Sequence, residues 1–300
     1  MKHRIAFINL SLLAVFLALV PIAVASNTWY VDRVHGSDNN NCKTPQAACK
    51  TIRHAISLAS SGDSIMVAAA SYTENLTIGL SLRLVGSGAS TTILDGGGVN
   101  TVVTISNASA HVSLSKLTIQ NGVASGYGGG IYNPGTLTIN NSTLSGNGAF
   151  YGGGGIYNPG TLTISNSTIS GNSASTAGGG IWGPGTATLQ NSVVANNSGG
   201  NCRGTMTSDG YNLSSDGTCN FNNSGDLNNT DPKLGQLGNY GGPTQTIPLL
   251  SGSPAIDAGN PSGCTDGKGN LLKTDQRGKP RPDKEDTGGC DMGAFERQKD

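Results

Sequence analysis

The sequence predicts an all-β fold, a parallel β-helix built from coils of about 25 residues, and three observations predict it. GGGIYNPGTLTI occurs at 128–139 and again at 153–164, and it returns as GGGIWGPGTATL at 178–189. Ile131, Ile156 and Ile181 therefore stand 25 residues apart, a period that marks a coil stacking on copies of itself. Within each copy apolar residues alternate with polar ones and no helical spacing intervenes, so the coils consist of short strands.

The alternation fixes which side chains face inward. Leu137 and Ile139 flank Thr138, and Leu144 follows after a turn; one period on, the same columns hold Leu162, Ile164 and Ile169, then Ala187, Leu189 and Val194. One period back they hold Val112, Leu114 and Ile119. Stacking at a strand spacing of about 4.8 Å sets like on like. A coil then buries some four large apolar side chains, worth roughly 6 to 12 kcal/mol gross, which does not offset the entropy of ordering its residues. No coil folds alone. Glycine and asparagine belong at the corners, where tight bends need a positive φ.

Residues 1–25 read as a signal peptide. Met1 to Arg4 is basic, Ile5 to Val20 is mostly apolar, and Ala23-Val24-Ala25 supplies the small residues of a cleavage site. Cleavage after Ala25 leaves no stable membrane span; an uncleaved anchor is the alternative. Loss of Lys2 and Arg4 takes Lys plus Arg from 18 to 16 against 18 Asp plus Glu, a net charge of −2 that does not suit a nucleic-acid partner. The six cysteines form three local pairs, Cys42 with Cys49, Cys202 with Cys219 and Cys264 with Cys290. In an exported chain an even count implies disulfides, and neighbour pairing is the simplest of the 15 connectivities. A zinc site would want CxxC spacing beside histidines, whereas His3, His35, His54 and His111 are scattered.

Residues 26–62 form an N-terminal cap. Thr51 caps a short helix in which Ile52, Ala55, Ile56 and Ala59 recur at helical spacing, and Gly62 ends it. The coils occupy 63–230, starting with a strand at Ser64 to Val67, and the helix lies across their open end to protect the unpaired strand edge. Residues 231–300 form a loop-rich C-terminal cap.

The stretches YVDRVHGSD, CKTIRHAISLASSGDSIMVA and SYTENLTI, between Trp29 and Ile78, resemble the opening of bacterial right-handed parallel β-helix proteins of the pectin-lyase-like group. That resemblance supplies the handedness. GGGI with LSGN at Leu144 to Asn147 or ISGN at Ile169 to Asn172 is similar to the repeats of polymorphic outer membrane proteins, with Leu or Ile where that family prefers Phe. In the C-terminal region GYNLSSDGTC, DPKLGQLGNYGGPTQT, SPAIDAG, DQRGKPRP and CDMGAFE resemble the choice-of-anchor Q domain. Met292 stands where that family usually has Ile, and GNYGG where DNGG is commoner. The resemblance implies an exported bacterial protein at the cell envelope or outside the cell. A sorting tail often follows the module in that family; the chain ends four residues after Glu296, which puts covalent anchoring in doubt.

Catalysis has to be argued from groups. From Gly96 to Ser208 there is no Asp or Glu, and the only charged residues are Lys116 and Arg203. Glycoside hydrolysis needs two carboxylates about 5 to 9.5 Å apart, which these coils lack. Elimination from a uronate needs a base and a cation to stabilise the developing enolate. In the coils only Arg83, His111, Lys116 and, as a calcium ligand, Asp95 could supply these groups. Each also has a structural role to hand: Asp95 closes a corner turn, His111 sits in a loop before a strand, and Lys116 and Arg83 lie on solvated faces. A lyase requires the four to converge on one face. No GxSxG or HExxH occurs.

Tyr132, Tyr157 and Trp182 each follow an inward Ile, so they point outward and stack one per coil. Such a stripe either contacts sugar rings or a protein partner, or serves as a ladder stabilising the stack. Tyr127, Phe150 and Tyr151 in the preceding loops widen it. Asp257, Asp275, Arg277, Arg281, Asp283, Asp286, Asp291 and Glu296 cluster near the C-terminus, either as an ion-pair network built on the two arginines or as a calcium site. The expectation is a monomeric, non-enzymatic surface or secreted protein that needs no cofactor and binds extracellular polysaccharide or a surface protein. The alternatives are a calcium-assisted polysaccharide lyase and a purely structural envelope protein.

Overall fold

The computed structural model describes residues 26–86, 92–242, 244–266, 269–284 and 289–298; the expected signal peptide lies outside them. They form a parallel β-solenoid with three long faces and a short fourth. The first face stacks Thr28–Val31, Ser64–Val67, Leu82–Gly86, His111–Ser115, Thr136–Asn140, Thr161–Ser165, the second half of Ile181–Gln190, and Cys202–Ser208. The second face stacks Leu76–Ile78, Val103–Ile105, Ile131–Tyr132 and Ile156–Tyr157, then joins the first through the ten-residue strand Ile181–Gln190. The third runs from Ala70–Thr73 through Thr92–Asp95, Thr118–Gln120, Thr143–Ser145, Thr168–Ser170 and Val193–Ala195 to Leu213–Ser214.

The register is the one the repeat dictates. Leu137 pairs with Val112 and Leu162, Ile139 with Leu114 and Ile164, and Leu144 with Ile119 and Ile169. All of these are buried in one continuous apolar core. Backbone conformation explains the corner residues: Asn141, Asn166 and Asn191 share φ 47°, and Lys116 takes the equivalent place one coil earlier at φ 56°. A second ladder is internal. The Asn147 amide donates to Asn172 Oδ1 (2.9 Å) and to the Ile119 carbonyl (3.0 Å), and Asn172 repeats the pattern with Asn197 and Leu144. These amides satisfy buried carbonyls at a turn where no strand can.

The N-terminal cap differs from expectation in two respects. It contributes a strand of its own, Thr28–Val31, in parallel register with Ser64–Val67, so the stack begins one strand earlier than the sequence indicates. Its outer edge is covered by the disulfide loop, not by the helix: Tyr30 N donates to the Cys42 carbonyl (2.9 Å) and Cys49 N to the Tyr30 carbonyl (2.8 Å). The helix, Ile52–Leu58, instead buries Ile52, Ala55 and Ile56 against the end of the core. Thr51 Oγ1 accepts from His54 N, and the Glu74 carboxylate accepts from Ile52 N and Arg53 N (3.0 Å each).

The C-terminal residues do more than cap the last coil. Phe221 and the Cys202–Cys219 disulfide close that end, while residues from 231 onward turn back along the third face. There the Gln276 amide donates to the Leu117 carbonyl (3.1 Å), Thr143 Oγ1 donates to Gln276 Oε1 (2.6 Å), and Ala294 N donates to Thr168 Oγ1 (3.0 Å). The corner asparagines are the other docking points, with Asn141, Asn166 and Asn191 donating to the carbonyls of Thr274, Thr265 and Asp291. Val193, Leu213, Leu249, Ala255, Met292 and Phe295 make a second apolar cluster beneath. Four of the clustered charged residues form buried pairs, Arg277 with Asp275 and Arg281 with Glu296, each at 2.7 Å, while Asp286 lies outside the described residues. Cys264–Cys290 bonds within this segment.

Candidate functional site

The second face carries the densest group of aromatic side chains. Its outward column reads Thr77, Thr104, Tyr132, Tyr157, Trp182 and Arg203 in unbroken register. Ring centroids of Tyr132 and Tyr157 are 5.5 Å apart and those of Tyr157 and Trp182 5.4 Å, so the expected ladder forms. The ladder is half-buried because Tyr127 covers it: its ring stacks on Tyr157 at 4.5 Å and lies 5.2 Å from both Trp182 and Tyr151. Accessible aromatic surface is therefore concentrated on Phe150 (57% exposed), Tyr151 (47%) and Tyr127 (37%).

Local sequence explains the cluster. Tyr127, Gly152 and Ala177 occupy one bridge column, and a Cβ at Gly152 would collide with the Trp182 ring. The two small residues make room for the ladder that the tyrosine then covers. Burial, followed by the neighbouring Tyr127 and Tyr132 phenols, raises the Tyr157 pKa. The Arg203 guanidinium lies 5.7 Å from the indole centroid and ends the column. Below Tyr127 the same face opens into a groove of about 390 Å³ whose polar lining includes Asn75, Thr77, Asn100, Thr101, Thr104 and Ser125.

The remaining residues flagged by the sequence do not converge. Arg83 and His111, both exposed, line one depression on the first face with Ser113 and Thr136; His111 is the first residue of its strand, not a loop residue. Lys116 is half-buried at the corner. Asp95 lies on the third face, where its carboxylate accepts from Gly97 N (2.8 Å), Gln120 Nε2 (2.9 Å) and Asn121 Nδ2 (2.8 Å). Burial pushes its pKa up, these bonds outweigh it, and the net shift is downward. Among the described residues one cluster has metal-ligand proximity, Cys42, Cys49 and His54, but its two sulfurs are bonded to each other and offer no thiolate.

Two features were not read from the sequence. Asp266 reaches the first face from the C-terminal segment and lines a depression with Arg83, Thr138 and Asn140; no periodicity connects residues so far apart. The covering role of Tyr127 was legible in principle, since writing the repeats in register sets it over Gly152 and Ala177.

No family model matches the chain, its C-terminal module included, and no curated protein matches it. Among solved structures, pectate lyase Pel9A aligns with a TM-score of 0.37 and 13% identity over 92% of this chain and 98% of that enzyme. The GH136 lacto-N-biosidase from Eubacterium ramulus aligns with a TM-score of 0.31 and 13% identity over 63% of this chain, which spans 56% of that enzyme's length.

Proposed function

We propose that this is a non-catalytic glycan-binding protein of the cell exterior, with the aromatic cluster of the second face as its contact surface. The observation that carries the proposal is that Tyr127 stacks on the half-buried ladder, continues through Tyr151 to Phe150 as an exposed aromatic patch, and borders a groove of hydroxyl and amide side chains. Flat apolar rings next to fixed hydrogen-bonding groups match the two kinds of surface that a sugar presents. The solenoid supplies preorganisation, because the ladder rings are already held by their neighbours above and below. Three disulfides suit an oxidising compartment outside the cytoplasm.

The dispersal of Asp95, Lys116 and the Arg83–His111 pair over different parts of the coil supports binding over elimination. A glycan array probed with residues 26–300 tests the proposal, with the Tyr127→Ala/Tyr151→Ala variant in parallel. Removing each large apolar contact is worth about 1.5 to 3 kcal/mol, so the variant should bind at least roughly tenfold more weakly while its circular dichroism stays unchanged. Undiminished retention by the folded variant would rule this surface out.

A further inference from the structure

Resting on the glycan-binding reading above, we infer that the ligand is an uncharged, extended glycan that lies along the solenoid axis. The column Thr77, Thr104, Tyr132, Tyr157, Trp182 crosses five coils in register and is a single straight strip. Four strand spacings of about 4.8 Å give it a length of roughly 19 Å. Its chemistry changes along that length. Thr77 and Thr104 begin it with hydroxyls inside the groove, and Tyr127 both ends the groove and opens the aromatic patch.

An extended chain of pyranose rings advances by about one strand spacing per sugar, so successive sugars meet successive coils. Those at the threonine end exchange hydrogen bonds with hydroxyls and amides, and those at the other end lay their C–H faces on Tyr127 and Tyr151. No charged side chain lines the groove. A chain with a carboxylate on every sugar would have to desolvate most of them there without a cation to receive them. Guanidiniums stand only at the two ends of the strip, Arg53 donating to the Asn75 carbonyl at the threonine end and Arg203 beyond Trp182, and each can meet one charge at most.

The test is titration of residues 26–300 with neutral β-1,4-linked gluco-oligosaccharides of increasing length and with galacturono-oligosaccharides of matching length, each at low and high salt. The neutral series should bind, tighten with length until the strip is filled at about four sugars, and change less than about twofold with salt. Thr104→Val should weaken the neutral series severalfold, and Tyr127→Ala more. Binding confined to the galacturonate series and fading at high salt would overturn the inference and leave the glycan reading standing. Failure of both series together with an empty glycan array would overturn the reading itself.

Discussion

Asp291 shows how much of this molecule is decided at single side chains. Its carboxyl is buried where the C-terminal segment meets the coils, accepting from Asp257 N at 2.9 Å and from Arg297 N at 2.6 Å. Burial first, and the Glu296 carboxylate second, push its pKa up to about 7, against those amides and the Arg281 guanidinium. In the unfolded chain the same group ionises near 3.8. Between pH 4 and pH 7, approximately, the folded state therefore holds a proton that the unfolded state has released, and rising pH favours unfolding. Above about 7 both states are ionised and the slope ends. Asp38, Asp63, Asp95 and Asp216 are shifted the other way, so their contribution is present at neutral pH and is lost only in acid below the ordinary carboxylate range. Urea unfolding of the disulfide-intact chain should show stability declining by on the order of a few kcal/mol from pH 4 to 7. Asp291→Asn should remove most of that decline; an equal slope in the variant would refute the assignment.

At the scale of the elements, the repeat settles the strands and side-chain contacts settle what lies on them. The columns from Val112 to Val194 were legible because like residues recur every coil, and stacking leaves them one register. The strand Thr28–Val31 was not, because it precedes the first repeat and its pairing with Ser64–Val67 has no counterpart to compare. The ladder of Tyr132, Tyr157 and Trp182 was legible for the same reason as the core, whereas its burial under Tyr127 depends on small residues at Gly152 and Ala177. Gly152→Ala tests that packing directly. Its methyl would displace the indole, destabilising the chain by roughly 1 to 3 kcal/mol and red-shifting the Trp182 fluorescence as the ring moves toward solvent. Unchanged emission with unchanged stability would mean that the indole has room for the methyl and that Gly152 is not required by the ladder. Trp29, held by Asp63 at 2.8 Å, provides a constant background.

Across the whole molecule, the three faces have been given different tasks. The third is covered by residues from 231 onward, through Gln276, Thr143, Thr168 and the corner asparagines, in contacts that span 99 to 159 residues and leave no trace in the periodicity. The first presents paired threonines, Thr136 and Thr138, Thr161 and Thr163, Thr186 and Thr188, with Arg83 and His111 at one end. The second presents the aromatic patch and its groove. The sequence shows no acid from Gly96 to Ser208, yet Asp209 and Asp266, from outside that stretch, line one depression of the first face with Thr163 and Thr188. Where the docked segment brings Asp266 into the depression that Arg83 also lines, sequence order gave no warning. The central claim is that the second face binds a glycan that the molecule leaves intact. The most direct measurement is mass spectrometry of a retained glycan after prolonged incubation with residues 26–300, with and without calcium. The account predicts recovery of full-length chains in both cases, whereas shortened or unsaturated products, abolished by Arg83→Ala, would contradict it and make the first face an active site.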